Sequence, residues 1–210
     1  MKCIIIIAAP AAGKGTISDY IKDKYNYKHI STGNLLREGF KNNNEKIMSY
    51  KESYDKGLLA SDDMIKELLD EEFEVTKTDF VLEGMPRNLN QGYILKELFN
   101  KYNIELDKVI FIDINKEIAI DRINNRLICE DCESIYNRKL ITTDKCTKCG
   151  GNLISRSDDT EETYITRYDT FVKQTKPLLE YYGDKVVTIY NNTSLEDVYK
   201  SVDEVLKGDE

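Results

Sequence analysis

Four of the five cysteines fall in two pairs, Cys129-x2-Cys132 and Cys146-x2-Cys149, with 13 residues between the pairs. That is the spacing of a four-thiolate metal site, each pair wrapping one side of a tetrahedral ion. Zinc and iron both accept four thiolates. Disulfides are the other chemistry open to these residues, but the chain has no convincing secretory signal, and thiols kept in a reducing compartment stay free. Four thiolates leave no position open for water or substrate, so the expected role is structural. Gly150-Gly151 lets the chain turn tightly after the last thiolate. A second reactive stretch opens the chain: Ile4-Ile5-Ile6-Ile7-Ala8-Ala9-Pro10-Ala11-Ala12-Gly13-Lys14-Gly15-Thr16. A β-branched run, a small-residue loop with Gly-Lys and then helical spacing at Ile17, Tyr20 and Ile21 form the context of a phosphate-binding loop. Backbone N–H groups would point at an anion there, and Lys14 would add a mobile positive charge. The stretch departs from G-x-x-x-x-G-K-[ST], with Ala8 in place of the first glycine and Gly15 between Lys14 and Thr16. The alternative is a signal peptide, built from Lys2, the apolar run and the small residues. That run is at the short limit for one, and charged helical sequence follows at once.

The arginines are scarce. Of 30 lysines and arginines only seven are Arg: Arg37, Arg87, Arg122, Arg126, Arg138, Arg156 and Arg167. A chain that favours lysine so strongly uses arginine where a planar, bidentate, permanently charged donor matters. Arg138 reads as an ordinary surface charge. The net charge of −8 argues against non-specific nucleic-acid or membrane-surface binding. A phosphorylated substrate would need these local cations. Cys3 lies in the first apolar run and reads as a small core residue. His29, the one histidine, reads as a packed or surface residue beside a strand rather than a catalytic base.

The elements that must position these residues alternate. Strand candidates at 2–8, 27–31, 80–82, 108–114 and 185–190 are separated by helical periodicity, which predicts an α/β fold with a parallel sheet. Helices are expected over 62–74 (Met64, Ile65, Leu68, Leu69, Phe73), over 116–126 (Ile118, Ala119, Arg122, Ile123, Arg126 along one side) and over 194–206. At 210 residues the chain suits one such domain with small insertions. Residues 32–61, with the polar tract at 41–46, and residues 127–159, with the cysteines, interrupt the alternation. The second segment is too small and polar to hold a core of its own, so a metal would hold it together. No apolar run approaches the ~18 residues of a transmembrane helix, and the tail 207–210 is expected to fray.

Taken together, these features resemble the adenylate kinase family, in its long-lid bacterial form with a zinc-bearing lid, over about residues 1–206. The family's G-x-P-G-x-G-K-G-T loop corresponds to 8–16, which accounts for Gly15; Ala8 and Ala11 depart from it. Ser31-Thr32-Gly33-Asn34-Leu35-Leu36-Arg37 resembles S-T-G-D-L-L-R, with Asn34 for Asp. Residues 57–62 resemble G-x-L-V-x-D, and Glu83-Gly84-Met85-Pro86-Arg87 resembles D-G-F-P-R, with Glu83 for Asp and Met85 for Phe. Asp121-Arg122 through Arg126 resembles D-R-x-x-x-R, and Arg156-Ser157-Asp158-Asp159 with the later Arg167 resembles R-x-D-D and its following Arg. Six of the seven arginines thus land on family positions.

The resemblance implies a five-stranded parallel sheet with helices on both faces, the P-loop nucleoside monophosphate kinase fold. Its core would be 1–31, 62–123 and 162–210, with an AMP-binding insertion at 32–61 and a zinc-binding lid at 124–161. It implies reversible phosphoryl transfer from MgATP to AMP, giving two ADP. ATP would meet Ala11, Ala12, Gly13, Lys14, Gly15, Thr16, Arg122, Arg126, Ile135 and Tyr136. AMP would meet Thr32, Arg37, Leu58, Leu59, Ala60, Gly84, Met85, Pro86, Arg87, Gln91, Arg156 and Arg167. Lys14, Arg126, Arg156 and Arg167 would act on the transferred group. Glu83 would stand near Mg²⁺ through water, and Cys129, Cys132, Cys146 and Cys149 would hold zinc. A cytoplasmic monomer is the family expectation. Two other readings compete. One is a UMP/CMP kinase, suggested by Asn88 after Arg87 and opposed by Gln91 and the long lid. The other is a catalytically weakened nucleotide-binding protein, suggested by Ala8, Ala11, Asn34 and Glu83.

Overall fold

In the computed structural model, which describes residues 1–56, 58–155 and 159–207, β1 (Lys2–Ala8) is the middle of a five-stranded sheet. Cys3, Ile4, Ile5, Ile6 and Ile7 are each at most 2 % exposed. Successive strand residues point to opposite faces, so uninterrupted burial means that both faces are covered. The other strands are β2 (Lys28–Ser31), β3 (Phe80–Glu83), β4 (Glu105–Asp113) and, at the far edge, Val186–Tyr190. Every pairing is parallel, with β3 and β4 flanking β1, β2 outside β3 and Val186–Tyr190 outside β4. The chain leaves β1 toward one edge and leaves β3 toward the other. Their carboxyl ends therefore bound the crevice where such sheets bind ligands. Register puts Ile6 beside Glu83 and Ser31 on its other side, so Glu83 stands at that crevice.

Helix α1 (Lys14–Tyr25) follows β1 and packs on α10 (Leu195–Lys207) through the stacked rings of Tyr20 and Tyr199. Between β2 and β3 lie α2 (Thr32–Lys41), α3 (Glu45–Met48), α4 (Lys51–Asp55) and α5 (Asp62–Val75). Helix α6 (Leu89–Tyr102) crosses to β4, and α7 (Lys116–Asn124) leads away from it. A second, antiparallel sheet of three strands follows: β5 (Arg126–Cys129), β6 (Ile135–Asn137) and β7 (Leu153–Ile154), with β5 in the middle. Its core is small, with Leu127, Cys129, Cys146 and Leu153 backed by Tyr136 and Ile141. Helices α8 (Glu161–Thr170) and α9 (Leu178–Tyr182) return the chain to the edge strand, which is β8 in chain order.

The alternation of elements is as the periodicity predicts, with three local differences. The helix expected over 116–126 stops at Asn124, because the Asn125 amide bonds back to the Asp121 carbonyl at 2.7 Å and closes the last turn. Arg126 therefore opens β5 and does not continue the face of Arg122. Strand β4 starts at Glu105, earlier than the apolar run, since pairing with Lys2 and the bond from the Glu105 amide to the Met1 carbonyl hold polar residues in the sheet. Lys207, expected in a frayed tail, is the last residue of α10.

Candidate active site

Loop 8–13 joins β1 to α1 with two residues in the left-handed region, Ala11 (φ 61) and Gly13 (φ 88). Gly13 is the N-cap of α1 and has no side chain to cap it, leaving the first N–H groups of the helix facing the crevice. A Cβ at Gly13 would come within 2.7 Å of Asn191 Nδ2, so the position needs glycine for space as well as for φ. The Asn191 amide donates to the Ala12 carbonyl at 2.8 Å, and its oxygen accepts from Arg122 at 3.1 Å. Asn191 thus ties the loop to Arg122, a role that sequence reasoning missed. Its signal was position, directly after the carboxyl end of an edge strand.

Lys14 turns back over the loop and donates to the Ala9 carbonyl at 3.0 Å. Burial, joined by the fields of Arg87, Arg126 and Arg167, brings its pKa down to about 8, while Glu83 opposes the shift. Burial and Arg167 likewise lower Arg87. Gathering four cations in one cleft of an acidic protein is costly unless an anion is to be held there. The cleft, about 1030 Å³, is lined by the loop, α2, the turn after β3, β6 and α8.

Glu83 is the acidic counterpart. Burial works against its charge, but His29 on one side and Lys14 and Arg37 beyond hold its carboxyl below the usual range. His29 Nε2 is 2.9 Å from Glu83 Oε2, and its Nδ1 is 3.1 Å from Asp19 Oδ1. His29, expected as a packed or surface side chain, sits in β2 itself, between two carboxylates. Although burial lowers its pKa, those partners raise it to about 9. The imidazolium is therefore charged at neutral pH and serves as a counter-ion, not as a base.

Two of the other cations, Arg126 and Arg37, have carboxylate partners. Arg126 makes a two-pronged contact with Asp159, 2.6 Å at its Nε. Arg37 reaches Glu133 at 3.3 Å, the Tyr54 hydroxyl at 3.2 Å and the Asn34 side chain. Arg87 donates from Nε to the Gly84 carbonyl at 2.8 Å. Gly84 (φ 86) must be glycine, for a Cβ there would lie 2.5 Å from the Thr32 hydroxyl.

Of the residues expected at nucleotides, Ala11, Gly13, Lys14, Gly15, Thr16, Arg122, Arg126, Ile135 and Tyr136 line the cleft. So do Thr32, Arg37, Leu58, Leu59, Ala60, Gly84, Pro86, Arg87, Gln91 and Arg167. Ala12 and Met85 do not face it: at 0 % and 1 % exposed, they pack behind it in the core. Arg156 lies outside the described residues, as do Ser157 and Asp158 of its motif. Arg138 is exposed, as expected. Tyr50, Tyr54, Glu133, Asp159 and Asn191 were not foreseen as site residues. Asn88, the residue that suggested a pyrimidine kinase, is the N-cap of α6. Its oxygen accepts from the Gln91 backbone N–H at 2.8 Å, and its nitrogen donates to Asp62.

The four sulfurs of Cys129, Cys132, Cys146 and Cys149 lie within 4.8 Å of one another, and none forms a disulfide. A tetrahedral ion with metal–sulfur bonds of about 2.3 Å would set them about 3.8 Å apart. The donor set and spacing therefore fit a zinc ion. The Tyr136 hydroxyl, 3.2 Å from Cys146, lowers that thiol. At Cys149 a backbone hydrogen bond from Gly151 acts in the same direction, but the crowding of Cys129 and Cys132 against Cys149 raises its thiol, so these shifts favour a thiolate at Cys146 but not at Cys149. A Cβ at Gly151 would collide with Asp131 and with the Cys129 sulfur, which explains the second glycine of the pair.

A family model described as adenylate kinase matches residues 6–187. Similar curated proteins carry the same description. That from Acetivibrio thermocellus is 37 % identical over 213 residues, covering 98 % of each chain. That from Clostridium tetani is 35 % identical over 210 residues, covering 97 % of each. That from Caldanaerobacter subterraneus subsp. tengcongensis is 36 % identical, covering 98 % of this chain and 96 % of the relative.

Proposed function

The chain belongs to the adenylate kinase family and is an ATP:AMP phosphotransferase, and from that premise we propose how its residues divide the work. The observation that carries the reading is the cleft that Lys14, Arg87, Arg126 and Arg167 line together, where burial and then the fields of the three arginines lower Lys14. Phosphoryl transfer demands in-line positioning and charge stabilisation with little proton chemistry. Lys14 and the N–H groups at 13–16 hold the donor phosphates of MgATP. Arg122 and the strand residues Ile135 and Tyr136 cover its base and ribose side. Arg37 and Arg87 hold the AMP phosphate, Thr32 and the 58–60 segment line its base, and Gln91 reads the adenine edge. Arg126, Arg156 and Arg167 surround the moving phosphoryl. Asp159 and Glu133 occupy Arg126 and Arg37 in their absence, and nucleotide phosphates replace those carboxylates. Glu83 meets the Mg²⁺ that arrives with ATP, through water, as a hard oxygen donor.

Segments 32–61 and 124–161 move over AMP and ATP respectively, and closure keeps water from the transferred group. Cys129, Cys132, Cys146 and Cys149 would hold zinc, which would keep the second segment a rigid body. No helix among the described residues is long and apolar enough to cross a membrane, and a cytoplasmic monomer is what the family resemblance implies. The UMP/CMP reading is not favoured, since Asn88 is committed to capping α6. Measuring phosphoryl transfer from ATP to AMP, CMP and UMP in parallel tests the assignment. AMP should lead by at least an order of magnitude. Equal rates would remove the adenine-reading role of Gln91.

A further inference from the structure

Gln91 lines the cleft yet is only 2 % exposed, and both ends of its amide are held from behind. Its Oε1 accepts from the Arg87 backbone N–H at 2.8 Å, and its Nε2 donates to Asp62 Oδ1 at 2.9 Å. A backbone N–H can only donate and a carboxylate can only accept, so the two partners define which end of the amide is which. Rotating the amide by a half-turn would set N–H against N–H and oxygen against carboxylate. Asp62 is itself held in place. Its oxygens accept from Asn88 at 3.2 Å and from Asn90 at 2.5 Å, and it opens α5 directly after the N-cap Ser61. It is not part of the cleft wall.

With these bonds made, the amide keeps one N–H and one oxygen lone pair for a ligand. A 6-aminopurine presents an amino donor at C6 and an acceptor at N1, which complement them. A 6-oxopurine presents the reverse order and would require the flipped amide. We propose that Asp62 is a positioning residue that fixes the donor–acceptor order of the Gln91 amide and so selects 6-amino over 6-oxo purine monophosphates. This rests on the reading of Gln91 as the residue that meets the adenine edge.

The test compares kcat/KM for AMP and for IMP in the full-length enzyme at saturating MgATP. The wild type is compared with Asp62→Ala, Asp62→Asn and Gln91→Ala, each checked for an intact thermal transition. The AMP:IMP ratio should fall roughly tenfold in Asp62→Ala, through poorer use of AMP and better use of IMP. Asp62→Asn, which can present either an acceptor or a donor, should give a smaller fall and serves if the alanine variant does not fold. A merely structural role for Asp62 would lower both substrates together. If Gln91→Ala collapses the ratio while both Asp62 variants leave it unchanged, the positioning role is overturned and the reading of Gln91 stands. If Gln91→Ala itself leaves the ratio unchanged, the reading of Gln91 fails and the proposal with it.

Discussion

Ala11 adopts the left-handed backbone (φ 61) at a position where the family motif has glycine. An L side chain there costs about 1–2 kcal/mol, partly offset by the lower entropy of an unfolded alanine. Ala11→Gly should therefore leave the fold intact, raise stability by up to about 1 kcal/mol, and bind ATP at least as tightly. Denaturant titration and calorimetry would check both; weaker ATP binding would mean that the methyl group is part of how this loop grips phosphate. Lys14 gives a second prediction. In the ligand-free cleft, burial and three arginines bring it to about 8 from an ordinary 10.5. Bound phosphates reverse the local field and restore its affinity for a proton. Binding above pH 8 must then take up a proton, and ATP affinity must fall as pH rises from 8 toward 10.5. ATP calorimetry in buffers of different ionisation enthalpy at pH 8.5 measures that uptake, and Lys14→Gln should lose it. The sign for folding follows the same logic. Between those values the unfolded chain binds more protons at Lys14, so the penalty that Lys14 imposes on the fold shrinks with rising pH.

Of the five main strands, β1, β4 and β8 were legible as β-branched runs, whereas β2 and β3, with one β-branched residue each, were legible by their place between helical stretches. The antiparallel sheet β6-β5-β7 was not. Its strands are only two to four residues long, so neither alternation nor run length marks them. Arg126 was misread because helical spacing runs through it, whereas Asn125 caps α7 and Arg126 pairs with Asn137 in β6. At the site, most residues marked by a motif line the cleft, whereas partners that come from distant elements, such as Asn191 for Arg122, carry no local pattern. What holds the small sheet follows from its size. With four buried residues in its core among the described residues, it has little apolar burial with which to fold alone, and the zinc proposed on the four thiolates would supply the rest. Stripping zinc with a chelator, or replacing Cys146 with Ser, should remove a low-temperature portion of the stability while leaving most activity at low temperature. Scanning calorimetry beside a coupled ADP assay separates the two. Activity lost at low temperature with an unchanged thermal transition would give the metal a part in the chemistry.

At the scale of the whole molecule, an ion pair among the described residues links the two segments proposed to move. Arg37 lies on α2, and Glu133 lies in the turn between Cys132 and β6; their guanidinium and carboxylate meet at 3.3 Å. Glu133 has a left-handed backbone (φ 56), a conformation that glutamate seldom adopts. Asn34, where the family has Asp, leaves Arg37 without a charged partner on its own helix, and Glu133 supplies that charge from across the cleft. The AMP phosphate and Glu133 then compete for one guanidinium. Glu133→Gln should tighten AMP binding to the ATP-free enzyme by about twofold to fivefold, the scale of a half-exposed ion pair discounted for solvent. The gain should shrink as salt screens the wild-type pair. Glu133→Gly should act in the same direction and also relieve the backbone. Titrating AMP calorimetrically at low and high salt checks both variants. Unchanged affinity at low salt would mean that the pair does not hold the segments together in solution. A looser AMP site would mean that Glu133 helps to place Arg37 for the phosphate instead of competing with it.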